Sequence, residues 1–413
     1  MARIAGKAYN VVEKQNTTTS VEAKLVYMND GVRVCAEACG CCWDIPIPEA
    51  YQDQVKYLGK RAKTGHTSVL EHSNLIILLR FPIEMSSGLG NAMIDLLSAS
   101  RYLNVRYENY EDYVYVLIGG SYRGYNAMIR MSTNQISPIM NAIKQVLYQN
   151  VSSEIFVDLI QDNLMEAERF IDIEPDNASD AFQMKPEDPY YDDDKISIIS
   201  YDNIQQISYN LNSIIGARIF SDADIGAVST ISILFKDMSR TCTHQLVRHR
   251  NAITQESQRY VDYSEAAFAD PVSFKPEKYD PDTKYTIHFG GQEFSMTSME
   301  IGENIIGIYG DVKEQGMLKE DARSFLPGNV KCRKIYMTFT YNNYLKFLEL
   351  RCHKAAQAEI RSYAIDCRNA TEPLFMRDME KNLVRSSVDE IVADKEVIMD
   401  NIVKATPELN EQE

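Results

Sequence analysis

The residues best suited to chemistry lie in one stretch of the chain, 239–260, where cations and imidazoles are concentrated. This stretch holds two of the six histidines and four arginines, which are Arg240, Arg248, Arg250 and Arg259. Read as a helix from about Met238, it places Gln245, Arg248 and His249 at positions i, i+3 and i+4, on one face. A guanidinium binds phosphate through a planar, bidentate fork, so this face suits an anionic or nucleotide ligand. The spacing alone also allows a solvated helix face that carries ordinary surface arginines.

The charge of the whole chain narrows the class of ligand. Its 413 residues carry 43 basic and 59 acidic side chains, for a net charge of −16. This balance disfavours nucleic acid as the main partner, because binding a phosphate backbone requires a basic face. A local basic site in an acidic protein favours a small anion held in a cleft. An apolar fraction of 45%, without an 18-residue apolar run or an N-terminal signal, predicts a soluble, cytoplasmic chain with no membrane association.

Cysteine and histidine spacing gives little support for a metal centre. Four of the eight cysteines lie close together, at Cys35, Cys39, Cys41 and Cys42. Because no second Cys or His pair follows at matching spacing, we expect reduced thiols packed beside Trp43 and no bound metal. His66 and His72 are six residues apart rather than four, so they would not share a helical face as a zinc pair. A ligand-binding turn or simple helix capping is the better interpretation of this segment.

A second candidate for chemistry, Arg351, lies on a single long helix predicted over Asn342–Ala370. On that helix Arg351, Ala355 and Ala358 share one face, so small residues leave room in front of the guanidinium. The pattern alone allows an alternative, a core-facing helix with a snorkelling arginine.

Hydrophobic periodicity places the other elements. The predicted strands are 74–81, 113–118, 229–235 and 334–340, together with a hairpin of strands 285–289 and 293–296. The predicted helices are about 49–63, 93–103, 122–147 and 299–313. Gly119-Gly120 is expected to form a break after the strand at 113–118, before the next helix. The acidic residues 173–195 are expected to form an exposed loop.

Four motifs, in order along the chain, resemble those of the flavin-dependent thymidylate synthases. They are Gly65-His66-x-Ser68-x-x-Glu71-His72, then 244–250 (HQLVRHR) with 255–260 (QESQRY), then Ala322-Arg323-x-x-Leu326-Pro327, and finally Leu350-Arg351 with 356–361 (AQAEIR). The resemblance predicts a split domain over 1–82 and 228–375. Residues 83–227 are then an inserted α/β subdomain with an acidic loop at 173–195, and residues 376–413 are an acidic C-terminal extension.

The resemblance implies an α+β chain that forms a homotetramer with shared active sites. It implies FAD as cofactor, with dUMP, methylenetetrahydrofolate and NADPH as small-molecule substrates for the reductive methylation of dUMP to dTMP. The residues that would hold FAD are His66, Ser68, Glu71, Arg248, His249, Arg250, Gln255, Thr340, Asn342 and Lys346. Those that would hold dUMP are Gln245, Arg248, Gln255, Glu256, Ser257, Gln258, Arg259, Arg323 and Arg351. Arg351 takes the catalytic position, where a cation beside the pyrimidine favours the ring anion and enriches C5 in electron density.

The chain departs from the family pattern at three points. Six residues rather than seven separate Arg250 from Ser257, Thr340 stands where the family often has Asn, and Gln255 replaces a residue that is often acidic. A shortened loop would shift Ser257 and Arg259 relative to the arginine helix. Two alternatives therefore stay open: a related flavoprotein that modifies another pyrimidine nucleotide, and a non-catalytic nucleotide-binding paralogue.

Overall fold

The computed structural model describes residues 21–87, 103–131, 137–151, 155, 189–249 and 252–381. Over these ranges, helices combine with antiparallel sheets, which confirms the predicted α+β class. No helix within them is long and apolar enough to cross a membrane.

Four antiparallel strands form the first sheet: β1 (Glu22–Met28), β2 (Leu75–Pro82), β3 (Leu103–Tyr110) and β4 (Tyr113–Gly120). Their spatial order is β1-β2-β4-β3. Alternate residues of β2 enter two different cores, with Leu75, Ile77 and Leu79 in one and Ile76 and Leu78 in the other. A strand that is buried on both faces appears in sequence as a continuous apolar run, as this one does.

Helices cover both faces of this sheet. The first core includes side chains from α1 (Gly31–Trp43), α2 (Tyr51–Lys63), α3 (Tyr122–Met131), α4 (Ser137–Asn150) and the 3-10 helix Thr67–His72. The second core is formed with α5 (Ile204–Ile215) and α6 (Asp222–Val228). Asn203 and Ser221 cap these last two helices by accepting hydrogen bonds from backbone N–H groups of the first turn.

The second sheet carries the arginine stretch. Its strands are β5 (Tyr191–Asp192), β6 (Ile196–Tyr201), β7 (Thr230–Ser239), β8 (Ala252–Gln255) and β11 (Lys331–Thr340), in the antiparallel order β5-β6-β7-β11-β8. Packed on it are α7 (Arg240–Leu246), α10 (Tyr341–Cys352) and α11 (Ala358–Lys381). Between β8 and β11 lie the hairpin β9 (Tyr285–Phe289) and β10 (Gln292–Met296), then α8 (Ser298–Glu314) and α9 (Lys319–Ala322). Shorter 3-10 helices span Ile83–Ser87, Val247–His249 and Arg323–Phe325.

Each central strand of the second sheet leads directly into a helix. Ser239 caps α7, because its Oγ accepts from the backbone N of Cys242 at 3.0 Å, and Thr340 caps α10 in the same way. Because β7 and β11 are antiparallel, the two helices start at opposite ends of the sheet. The twelve residues of α10 then run back by about 18 Å, at 1.5 Å per residue. This return brings the end of α10, with Arg351, toward α7.

The prediction of one helix over Asn342–Ala370 is wrong. The helix stops at Cys352 because His353 is extended (φ −65°, ψ 146°), and it resumes only at Ala358. The backbone N of Ala355 donates to His353 Nδ1 at 3.1 Å, which stabilises the intervening turn. Arg351, Ala355 and Ala358 therefore do not share a helical face.

The prediction of a break at Gly119-Gly120 is also wrong, because β4 continues through both residues. A Cβ placed on Gly119 would lie 2.5 Å from atoms of Val228 in α6. The glycine thus allows a close approach between the strand and the helix that covers it.

Most other predicted elements are confirmed within a few residues. They are the strands near 74–81, 113–118, 229–235 and 334–340, the helices near 49–63 and 299–313, and the hairpin. The predicted helix 122–147 is divided into α3 and α4. The predicted helix 93–103 lies outside the described residues except for Leu103, which begins β3, and the acidic loop is described only from residue 189.

The described residues of 83–227 are built into both sheets. Strand β4 pairs with β2, and β6 pairs with β7. Whether this block is an insertion relative to the family stays a prediction, but its strands complete the two sheets.

Candidate active site

Arg351 is held at the end of α10 by two residues of the arginine stretch. Its Nε donates to Nε2 of His249 at 3.0 Å, and its Nη2 donates to the carbonyl oxygen of Gln245 at 3.4 Å. The side chain of Gln245 in turn donates to Oε1 of Gln357 at 3.1 Å, which ties α7 to the turn after α10. We call Gln245, Arg248, His249 and Arg351 the Arg351 cluster.

The helical geometry of this stretch differs from the prediction. The α-helix ends at Leu246 and continues as a 3-10 helix over Val247–His249. The prediction that Gln245, Arg248 and His249 share one face of a regular α-helix is therefore wrong. Gln245 and His249 are nevertheless brought together, because both contact Arg351.

The electrostatics of the Arg351 cluster favour a neutral imidazole between cations. Burial, followed by the charges of Arg351 and Lys346, lowers the pKa of His249 to about 4. Its Nε2 therefore carries a lone pair that accepts from Arg351 at neutral pH. Burial, followed by the charge of Arg248, also lowers the pKa of Arg351. In the described part of the chain, neither Arg248 nor Arg351 forms an ion pair with a carboxylate.

Three of the other residues predicted to hold FAD lie at the cap or in the first half of α10. Thr340 is half-buried and accepts from the backbone N of Asn343 as the helix cap, while Asn342 and Lys346 are exposed. Lys346 lies within electrostatic range of His249. Arg250 lies outside the described residues. Contact of these side chains with a flavin stays a prediction.

A second group of predicted residues lines a pocket of about 160 Å³, which we call the Trp43 pocket. His66, Ser68 and Gln255 form part of its wall, together with Trp43 and Arg61. The rings of Trp43 and His66 meet edge to face with centroids 5.9 Å apart. Gln255 Nε2 also donates to Thr243 Oγ1 at 2.9 Å, which connects this wall to α7.

A third group forms around Glu320 on α9. Nε of Arg259 donates to Oε2 of Glu320 at 3.1 Å, and Nη2 of Arg259 lies 3.0 Å from the same oxygen. Nε of Arg323 donates to the backbone oxygen of Glu320 at 2.9 Å. Ser257 accepts at Oγ from the backbone N of Arg259 at 3.3 Å, and its own N donates to the oxygen of Cys42. Two predicted dUMP-binding arginines therefore meet at one residue, Arg259 at the carboxylate of Glu320 and Arg323 at its backbone oxygen.

Glu256 directly precedes Ser257 in the chain. Its side chain is fully buried, with Oε2 3.4 Å from Nε of Arg333, and burial raises its pKa. Arg240 Nη2 donates to its backbone oxygen at 2.8 Å. In this conformation the carboxylate points into the protein, so it can position the loop but does not present itself to a ligand. The neighbouring Gln258 is half-buried.

The first motif divides between the protein interior and the pocket. Glu71 forms an ion pair with Arg123 of α3. His72 is fully buried between the hydroxyls of Thr254 and Thr338, at 2.9 Å from each. Burial lowers the pKa of His72 to about 3, so it is a neutral core histidine. Among the residues described, no group of three His, Cys, Asp or Glu side chains is arranged to hold a metal, and the cysteines are free thiols.

Sequence reasoning missed Arg61 and Glu320 as members of these groups. Arg61 stands in the last turn of α2, where a basic residue is ordinary. Glu320 precedes the third motif by two residues but belongs to none. Only Trp43 had a signal, as the single tryptophan beside the cysteines.

Residues 224–375 match the family model described as thymidylate synthase complementing protein. A flavin-dependent thymidylate synthase of Pyrococcus furiosus is 34% identical over 141 residues, which cover 33% of this chain and 52% of the relative. The protein of that name from Mycobacterium tuberculosis H37Rv is 27% identical over 160 residues, 37% of this chain and 62% of the relative. One from Pyrococcus abyssi is 33% identical over 141 residues, 33% of this chain and 52% of the relative.

These comparisons confirm the resemblance seen in the motifs. The chain spans between 52% and 62% of the length of these curated relatives. The family match holds the Arg351 cluster, the loop to Tyr260 and the arginine at 323, whereas the motif at 65–72 lies before it.

Proposed function

Because residues 224–375 belong to the flavin-dependent thymidylate synthase family, we propose that the chain converts dUMP to dTMP by reductive methylation. Methylenetetrahydrofolate would donate the one-carbon unit and NADPH the electrons, with FAD as cofactor. The observation that carries this proposal is the Arg351 cluster. In it, the guanidinium of Arg351 is hydrogen-bonded to a neutral imidazole, and the charge of the exposed Arg248 acts on it.

Arg351 is the residue that would act on the pyrimidine. Its Nε and Nη2 are used by His249 and Gln245, which fixes the orientation of the guanidinium, and within the described residues Nη1 has no acceptor and would serve a ligand. A cation beside N3 and O2 of uracil stabilises the ring anion, which raises electron density at C5, the atom to be methylated. Because His249 is neutral, it holds Arg351 without competing for an anionic substrate.

The described residues fit a flavin nucleotide. Arg248 of the Arg351 cluster and Lys346, whose charge acts on His249, would face its phosphates. His66, Ser68 and Gln255 would hold it from the wall of the Trp43 pocket. When bound and reduced by NADPH, the flavin would supply the hydride that completes the methyl group.

The phosphate of dUMP would bind at Arg259 and Arg323. We also propose that the active site is shared in a homotetramer, with the loop that carries Arg259 in one chain completing the Arg351 cluster of another.

The test is anaerobic turnover with dUMP, methylenetetrahydrofolate, NADPH and FAD, with dTMP followed by chromatography. Replacing Arg351 with glutamine should lower kcat by about 10²–10³, the usual loss for one preorganised donor. Lys354→Gln is the matched control, because it removes an exposed cation three residues away. If the protein oxidises NADPH but makes no dTMP, the substrate is another pyrimidine nucleotide. If Arg351→Gln and Lys354→Gln have the same kcat for dTMP formation, the role of Arg351 is refuted.

A further inference from the structure

The Trp43 pocket has a cationic wall in an acidic protein. Its lining includes the guanidinium of Arg61 but no carboxylate, whereas the chain as a whole carries a net charge of −16. Two thiols in the wall, Cys39 and Cys42, have pKa values raised by burial and therefore stay neutral. The pocket thus presents positive charge without an internal counter-ion, which attracts an anion.

Arg61 is placed for recognition rather than for an internal ion pair. Its Cζ lies 3.5 Å from the ring centroid of Trp43, so the guanidinium is stacked on the indole. Its Nε is buried, and within the described residues this atom has no hydrogen-bond acceptor and no carboxylate pairs with the guanidinium. The other interactions of the side chain are with Cys39 and Tyr57. Buried donors are nearly always satisfied in native proteins, so an orphan donor at a pocket wall indicates a missing acceptor. By contrast, Lys60 on the same helix is exposed.

The surroundings indicate the kind of molecule that carries this acceptor. Trp43 is half-buried and is flanked by His66 and by Tyr260, whose ring centroid lies 5.4 Å from that of the indole. Aromatic side chains in such an arrangement pack against flat ring systems. A guanidinium beside them adds a fork that matches the oxygens of a phosphate or carboxylate.

We propose that Arg61 is a specificity-determining residue of the Trp43 pocket, which binds the oxyanion of a heteroaromatic ligand whose ring packs beside Trp43. The inference rests on the proposed function, since flavin nucleotides carry such an oxyanion as phosphate and folates carry it as carboxylate. Arg61 selects the charged ligand over its uncharged analogue. It is not a residue that acts on the reacting atoms.

The chain contains its own reporter for this pocket. Trp43 is the only tryptophan in the sequence, so intrinsic tryptophan fluorescence arises from the pocket wall alone. Titration of the full chain with FMN and with riboflavin compares ligands that differ by one phosphate. Titration with folic acid and with 6-hydroxymethylpterin compares a ligand that carries carboxylates with one that lacks the entire p-aminobenzoylglutamate group. A Trp43→Phe variant removes the signal and establishes the baseline.

Arg61→Met should weaken binding of the charged member of a pair by about 10- to 100-fold, since hydrogen bonds to charged groups have that effect. Binding of the uncharged member should change less than twofold. An effect on FMN identifies phosphate as the oxyanion, and an effect on folic acid identifies carboxylate. Lys60→Met is the matched control and should leave both pairs unchanged. Arg61→Gln, which retains polar atoms for Tyr57, replaces Arg61→Met if the latter lowers the Tm.

The outcomes separate this inference from the proposed function. If the wild-type chain binds FMN or folic acid and the Arg61 variants bind them equally well, the inference is overturned and the function stands. The same conclusion holds if none of the four ligands quenches Trp43 while dTMP is still formed. If no ligand binds and no dTMP is formed, the proposed function fails together with the inference.

Discussion

The ion pair between Arg259 and Glu320 predicts that dUMP must compete with an internal carboxylate. Both contacts to Glu320 Oε2 are close, at 3.0 and 3.1 Å, but the two side chains are 52% and 45% exposed. Exposed pairs contribute about 0.2–1 kcal/mol. Glu320→Gln should therefore release Arg259 and improve dUMP affinity by up to about fivefold. The free energy of unfolding should fall by no more than about 1 kcal/mol.

The assay is calorimetric titration of dUMP and of deoxyuridine, which lacks the phosphate. Only the dUMP affinity should rise, and the gain should shrink at high salt because the phosphate contact is electrostatic. The position of Arg323 should not change in Glu320→Gln, since Arg323 donates to the backbone oxygen of Glu320. Asp321→Asn is the matched control, as it removes a neighbouring exposed carboxylate. If Glu320→Gln weakens dUMP binding, Glu320 is itself a ligand-binding residue and the competition argument fails.

Two buried groups predict opposite contributions to the pH dependence of stability. The pKa of His72 falls to about 3 on folding, from about 6.5 in the unfolded chain, so its contribution is lost as pH falls below about 6.5, by at most about 1.4 kcal/mol per pH unit. His72→Gln should remove that slope. Burial raises the pKa of Asp202 to about 7, from about 3.9 unfolded, so its contribution is lost as pH rises from about 4 to about 7, and Asp202→Asn should flatten that region. Urea unfolding at pH 4.5, 5.5, 6.5 and 7.5 tests both, and a variant that keeps the wild-type slope would show that its buried group does not titrate as described.

Local pattern predicted the elements that depend on burial within one strand or helix. The apolar run at Leu75–Leu79 is a strand because both its faces enter cores, and the glycine pair in 290–291 joins the hairpin as expected. Predictions from hydrophobic periodicity were wrong where a distant contact or a local turn determines the backbone conformation. Strand β3 has a polar exterior and was missed, and the turn at His353 interrupts a sequence without glycine or proline.

The sequence by itself determined which functional groups are available. It showed the four motifs, the family that these motifs resemble, and the concentration of guanidiniums in an acidic chain. Only the tertiary structure decided which of these side chains meet. Arg351 reaches His249 across 102 residues of chain, and Arg259 reaches Glu320 across 61. It also turned Glu256 and His72 inward and left Nε of Arg61 without an acceptor among the described residues. Such pairings depend on strand register and on the length of the returning helix, which no local spacing records.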